Sequence, residues 1–88
     1  MTIGDITFDR VEYDAEGDVL YLHVGDPSAA VDFDETPEGH GVRLDRDGNV
    51  VGLTLVRPKR VLESNGDLQV TLPVARQVPA EQLAEALA

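Results

Sequence analysis

The feature that most constrains this chain is a short acidic turn set between two runs of alternating apolar residues. It occurs more than once. The stretch EYDAEGDVLYLHV, residues 12–24, places such a turn at Glu16-Gly17. A hairpin centred there pairs Ala15 with Asp18, Tyr13 with Leu20 and Val11 with Leu22, so apolar residues meet on one face. Glycine is expected to supply the positive φ that a tight hairpin turn needs. A one-residue slip sets Glu12 against Leu20 and turns the apolar set to the wrong side, which disfavours it. Arg10, Glu12, Val19, Tyr21 and His23 then share the opposite face.

The same logic applies to VRLDRDGNVVGLTLV, residues 42–56. Asp47-Gly48 is a strong two-residue hairpin signal. Centring the turn there pairs Leu44 with Val51 and Val42 with Leu53, with Leu55 continuing that face. Arg43, Asp45, Val50, Gly52 and Thr54 lie on the other, and a glycine inside a strand marks a bulge or a close backbone approach. A third turn is predicted at Asn65-Gly66, although its flanks fit less well. That register matches Val61 with Val70, but also Glu63 with Leu68 and Lys59 with Leu72. Leu68, Val70 and Leu72 alternate cleanly.

GDPSAAVDFDETPEGH, residues 25–40, reads as a long loop with a short extended piece at Ala30–Phe33. PAEQLAEALA, residues 79–88, reads as a helix. Pro79 suits the first turn, Glu81 suits the helix dipole, and Ala80, Leu83, Ala84 and Leu87 form one stripe. The expected fold is mainly β (α+β): one domain over 1–88, an antiparallel β-meander of about five strands with one short C-terminal helix. Val11, Tyr13, Leu20, Leu22, Val24, Val42, Leu44, Val51, Leu53 and Leu55 form its apolar face. The short helix covers only part of that face, so a second copy of the chain is expected to cover the rest.

YDAEGDVLYLHV followed by VRLDRDGNVVGLTLV resembles the domain-of-unknown-function family numbered 2283, whose members are small bacterial proteins. Tyr13, Asp14, Asp18, Leu20 and Tyr21 match its first block, and Asp45, Asp47, Gly48, Val51 and Gly52 its second. PEGHGVRLD and VTLP resemble segments of a longer subgroup, while Gly17 stands where alanine is commoner. The resemblance implies a small β-rich domain and no particular activity.

Composition narrows the function classes. The formal charge is −10, from 17 acids against 7 bases, which repels phosphate backbones and argues against nucleic-acid binding. Such a surface maintains solubility and steers basic partners. Cysteine is absent, so neither disulfides nor thiolate zinc sites can form. No secretory leader or membrane-spanning apolar run is evident, and a cytoplasmic location is expected.

Each candidate site has a plainer structural alternative. Asp14, Glu16 and Asp18 offer oxygen ligands to calcium, or else accept backbone N–H bonds within the turn. DRDGN fails the calcium-loop spacing, because Gly48 falls at its fourth position and Val56 at its twelfth. Glu38 and His40 of PEGH are a possible acid/base or ligand pair, or an ordinary glycine turn. Ser28 and Ser64 lack a neighbouring histidine or a nucleophile elbow. The basic run RPKR, residues 57–60, touches nucleic acid or an acidic partner, or only balances local acids, which three bases in so acidic a chain favour. Tyr21 and His23, with Val19 and with Phe8 nearby, form a mixed face of the kind found at interfaces. No metal, cofactor or catalytic residue is assigned.

The reading favoured by these features is a non-catalytic interaction domain. It self-associates as a homo-oligomer and binds a basic protein partner in an antitoxin-like way, through Tyr21, His23, Glu38 and His40. The alternative is a small hydrolase or metal-assisted enzyme with a site near Glu38 and His40.

Overall fold

Alternation of apolar residues in two hairpins builds a five-stranded antiparallel sheet, and the chain termini build the layer that covers it. The structure is a computed structural model and describes every residue except 65, 73 and 74. The strands are β1 (Thr2–Ile3), β2 (Ile6–Thr7), β3 (Arg10–Asp14), β4 (Val19–His23), β5 (Asp32–Glu35), β6 (Gly41–Leu44), β7 (Val50–Val56), β8 (Leu68–Thr71) and β9 (Ala75–Val78). Pro27–Ala29 forms a short 3-10 turn, and the helices are α1 (Pro58–Ser64) and α2 (Ala80–Leu87). The protein is therefore mainly β, with two helices rather than the single one expected.

The sheet order is β3-β4-β7-β6-β5, so the strands do not follow one another as a meander. The β5–β6 hairpin lies outside, and β7 slots between β4 and β6. Residue chemistry accounts for the order. VVGLTLV is the most apolar strand and takes the centre, whereas DFDE, exposed along its length, takes an edge that charge protects from further pairing. Half of the expected long loop is thus this edge hairpin, its strand two residues later than the predicted extended piece.

The first hairpin has the expected register, with Val11 opposite Leu22 and Tyr13 opposite Leu20. Its turn differs in detail: the left-handed residue is Asp18, at φ 51°, and not Gly17. The second hairpin pairs Val42 with Leu53 as expected, but then shifts so that Leu44 meets Val50. The cause is a three-residue loop. Asp45 N–H bonds to the Asn49 carbonyl over 2.9 Å, Gly48 N–H returns to the Asp45 carbonyl over 3.1 Å, and Gly48 takes φ +83°. The extra residue is absorbed as a bulge beside Leu44.

No hairpin forms around Gly66; Asn65 lies outside the described residues. Its would-be first strand is α1, begun by Pro58 and closed by a bond from Gly66 N–H to the Val61 carbonyl. The poor pairing of Glu63 and Lys59 with leucines reflects this: Lys59 and Glu63 face solvent while Val61 and Leu62 pack inward. The true partner of β8 is β9, where Leu68 meets Val78.

Buried residues from every part of the chain meet in one cluster. Leu20, Leu22, Val42, Leu53 and Leu55 come from the sheet, and Ile3, Phe8, Leu68, Val70, Val78 and Leu83 come from the covering layer. Two expectations change here. Phe8 is a core residue and not part of the mixed face with His23. Most of the apolar face is covered by the chain's own β1–β2 and β8–β9 hairpins and helices, leaving Val11 at the β3 edge 41% exposed and a groove beside Leu44 and Val50. In α2, Leu83 is fully buried and Ala86 and Leu87 pack beside it, while Ala84 faces solvent.

Candidate functional site

TPEGH, residues 36–40, is built like DRDGN. Thr36 N–H bonds to the His40 carbonyl over 2.8 Å, Gly39 N–H returns to the Thr36 carbonyl over 2.9 Å, and Gly39 takes φ +92°. Thr36 Oγ1 accepts from His40 N–H, as Asp45 Oδ1 accepts from Asn49 N–H. In both, a side-chain acceptor opens the turn and glycine stands fourth. That shared pattern was present in the sequence and marks both loops as three-residue turns.

The turn presents Glu38 and His40 to β8. His40 is 3% exposed, and both ring nitrogens are engaged. Val56 N–H donates to Nδ1 over 3.2 Å, and Nε2 lies 3.1 Å from the Gln69 carbonyl. An amide can only donate and a carbonyl can only accept, so Nε2 carries the proton and the ring is neutral. Burial lowers its pKa, against the opposing pull of the Gln69 bond and the Glu38 charge. Glu38 accepts from Thr71 Oγ1 at 2.6 Å, Thr71 N–H at 3.0 Å and Gln69 Nε2 at 3.1 Å. The Thr71 hydroxyl bond leads in holding its carboxyl down at about 2. The pair therefore faces inward and clasps β6 and β7 to β8. Both residues border one shallow pocket beside Arg57 and Gln77, but both His40 ring nitrogens and both Glu38 carboxylate oxygens are engaged in these bonds.

The acidic turns are also occupied. Asp14 Oδ1 accepts from Glu16 N–H and Gly17 N–H, closing the first turn. Asp18 reaches further. Its carboxylate accepts from Lys59 N–H at 3.0 Å and Arg60 N–H at 3.3 Å, the free amides at the start of α1, and from the Tyr13 hydroxyl at 2.9 Å. The residue preceding α1 is Arg57, held at φ 54° and with no side-chain capping oxygen, so Asp18 supplies the cap from the turn between β3 and β4. Burial would raise the Asp18 carboxyl, but these bonds outweigh it and keep it below the usual range. Burial first, then the Asp18 bond, raises the Tyr13 hydroxyl. Among the described residues, no three His, Asp or Glu side chains converge as metal ligands.

Tyr21 and His23 lie on the sheet face opposite the core; Tyr21 is exposed, while His23 is half-buried and shares a groove with Pro27 of the 3-10 turn. The register sets out that face in rows across the strands. One row runs Arg10, His23, Gly52, Arg43, Phe33; the next runs Glu12, Tyr21, Thr54, Gly41, Glu35. Tyr21 is 44% exposed and Phe33 68%, and the Arg43 guanidinium stands 5.2 Å from the centre of the Phe33 ring. Gly52 leaves room for the Arg43 stem, which an added Cβ would meet at 3.3 Å. A shallow groove crosses the centre, with Arg10, His23 and Arg43 among its walls. His23 Nδ1 is buried without a hydrogen-bond partner. The β5 edge is closed to strand addition: its outward amides, on Phe33 and Glu35, bond to the carboxylates of Asp32 at 2.8 Å and Asp34 at 2.7 Å. The four residues singled out from sequence thus fall into two separate places, Tyr21 and His23 on the open face, Glu38 and His40 inside the clasp. Phe33, Arg43 and Gly52 join the first only once β5 and β6 are placed.

A five-stranded antiparallel sheet, pinned by capped acidic turns and covered on one face by the termini, defines a small β-rich domain with one open sheet face. Residues 10–57 match the family described as "Protein of unknown function (DUF2283)", and the chain belongs to that family. The match spans the five-stranded sheet and ends where α1 begins, so VTLP lies beyond it. No curated protein and no solved structure matches the chain. No helix among the described residues is long and apolar enough to cross a membrane.

Proposed function

We propose that this protein is a non-catalytic interaction module that self-associates through its open sheet face and holds a basic protein partner on its acidic flank, in an antitoxin-like role. The observation that carries this reading is the asymmetry of the sheet. One face is largely covered by the chain itself, and the other is open around Tyr21, Phe33 and Arg43, residue types that concentrate at binding hot spots. The acidic flank is the β5 edge with the adjacent turn, where Asp32, Asp34, Glu35 and Asp47 are exposed. A chain of net charge −10 attracts a basic protein to such a surface at long range. The hydrolase reading through Glu38 and His40 gains no support from their geometry, since both are spent on β7 and β8.

Light scattering of the purified protein over a range of concentrations, with capture of basic proteins at low and high salt, tests the proposal. Concentration-dependent association and salt-sensitive capture are the expected results. A strict monomer that retains no basic protein overturns it.

A further inference from the structure

The two rows of the open face differ in sign. Its bases, Arg10 and Arg43, stand in one row, and Glu12 and Glu35 stand in the next. Such a face is complementary to itself and poorly matched to a uniformly basic protein. We infer that the open face is the interface of a two-fold homodimer whose axis crosses the strands between these rows, setting Arg10 of one copy on Glu12 of the other. The inference rests on the proposed self-association and specifies its geometry.

Rotation about that axis exchanges the rows and keeps each position across the sheet. Arg10 then meets Glu12 of the second copy, His23 meets Tyr21, and Arg43 comes to Gly41 beside Glu35. Symmetry makes every contact twice. An axis along the strands would instead set Arg10 on Phe33 and His23 on Arg43, pairing no acid with a base. Gly41 carries no side chain in the second row, and in the first the Arg43 stem lies over Gly52, so two such faces stack near the usual sheet separation of about 10 Å with strands within about 30° of alignment. Two rows over five strands make a contact smaller than a standard specific interface, so the dimer is weak, reversible and further weakened by salt.

Charge exchange tests this. R10E/R43E and E12K/E35K are prepared as separate chains, and R10E/E12R as one chain. Sedimentation velocity at low ionic strength follows each alone and the first two mixed, with far-UV circular dichroism as the check on folding. The expected result is a wild-type dimer, association at least about tenfold weaker for each one-sign variant, a heterodimer on mixing, and recovery in R10E/E12R. Recovery on mixing also shows that the one-sign chains are folded. A wild-type dimer that ignores these exchanges overturns the geometry and leaves the proposed self-association intact. A wild-type monomer at all concentrations overturns both.

Discussion

The Nε2–H of His40 donates to the carbonyl of Gln69 over 3.1 Å, across 29 residues of sequence. The other ring nitrogen accepts from Val56 N–H, so one neutral imidazole ties β7 to β8. This arrangement has a definite pH signature. Burial lowers the His40 pKa from its ordinary 6.5, so the unfolded chain binds the proton first. Stability is complete above the ordinary value and is lost as pH falls through it toward the folded-state pKa. Between about pH 7 and about pH 5 the wild-type urea midpoint should fall, and in H40Q that slope should flatten. H40Q should also be less stable at neutral pH by about 2 kcal/mol, because Val56 N–H and the Gln69 carbonyl lose their matched partner.

Glu38 titrates in a lower window. Its carboxyl falls from an ordinary 4.5 to about 2, chiefly through the Thr71 hydroxyl. The stabilisation is present above the ordinary value and disappears as pH drops toward the lower one. E38Q should be less stable than wild type at neutral pH and should show a shallower acid limb, the two converging at the lowest pH. Equilibrium denaturation at a series of pH values measures both.

Asp18 acts as the cap of a helix to which it is not adjacent. D18A should cost about 1 kcal/mol, the usual size of a lost N-cap, and should loosen α1 first. Hydrogen exchange at Lys59 and Arg60 amides reads the local effect. Unchanged protection there would show that the cap is not what holds α1.

Two glycines should respond unequally to alanine. Gly48 is at φ +83°, where a side chain costs about 1–2 kcal/mol. Gly17 is not left-handed, and a Cβ there would meet the Asp14 carboxylate at 3.1 Å, an exposed group able to move. G48A should therefore destabilise by that amount and G17A by less than about 0.5 kcal/mol. Thermal melts of the pair provide the comparison.

Leu83 of α2 and Leu55 of β7 are both fully buried in one cluster, though only Leu55 lies within the family match. L83A and L55A should each cost about 2–5 kcal/mol in urea denaturation. A negligible loss in L83A would mean that α2 is not part of the core.

How far the sequence could be read depends on the range of each interaction. The Val11–Leu22 and Val42–Leu53 pairings were legible because strand side chains alternate with period 2 and hairpin partners are close in sequence. Asp14 was legible as a turn acceptor for the same reason. The bulge at Leu44 was missed because DG suggests a two-residue turn, and only the Asp45–Asn49 bonds reveal three. Helix α1 was missed because its cap comes from Asp18, with no signal beside it.

By itself, the sequence determined two antiparallel hairpins, their apolar face, a C-terminal helix and a strongly acidic surface. These are properties of neighbouring residues and of total charge. Only the tertiary structure decided that β7 lies between β4 and β6, that the termini cover most of the apolar face, and that Glu38 and His40 bond to β7 and β8 while Tyr21 and His23 lie on the opposite sheet face. Each of those outcomes is a contact between distant segments, and competition for burial among all of them, rather than any local pattern, selects the partners.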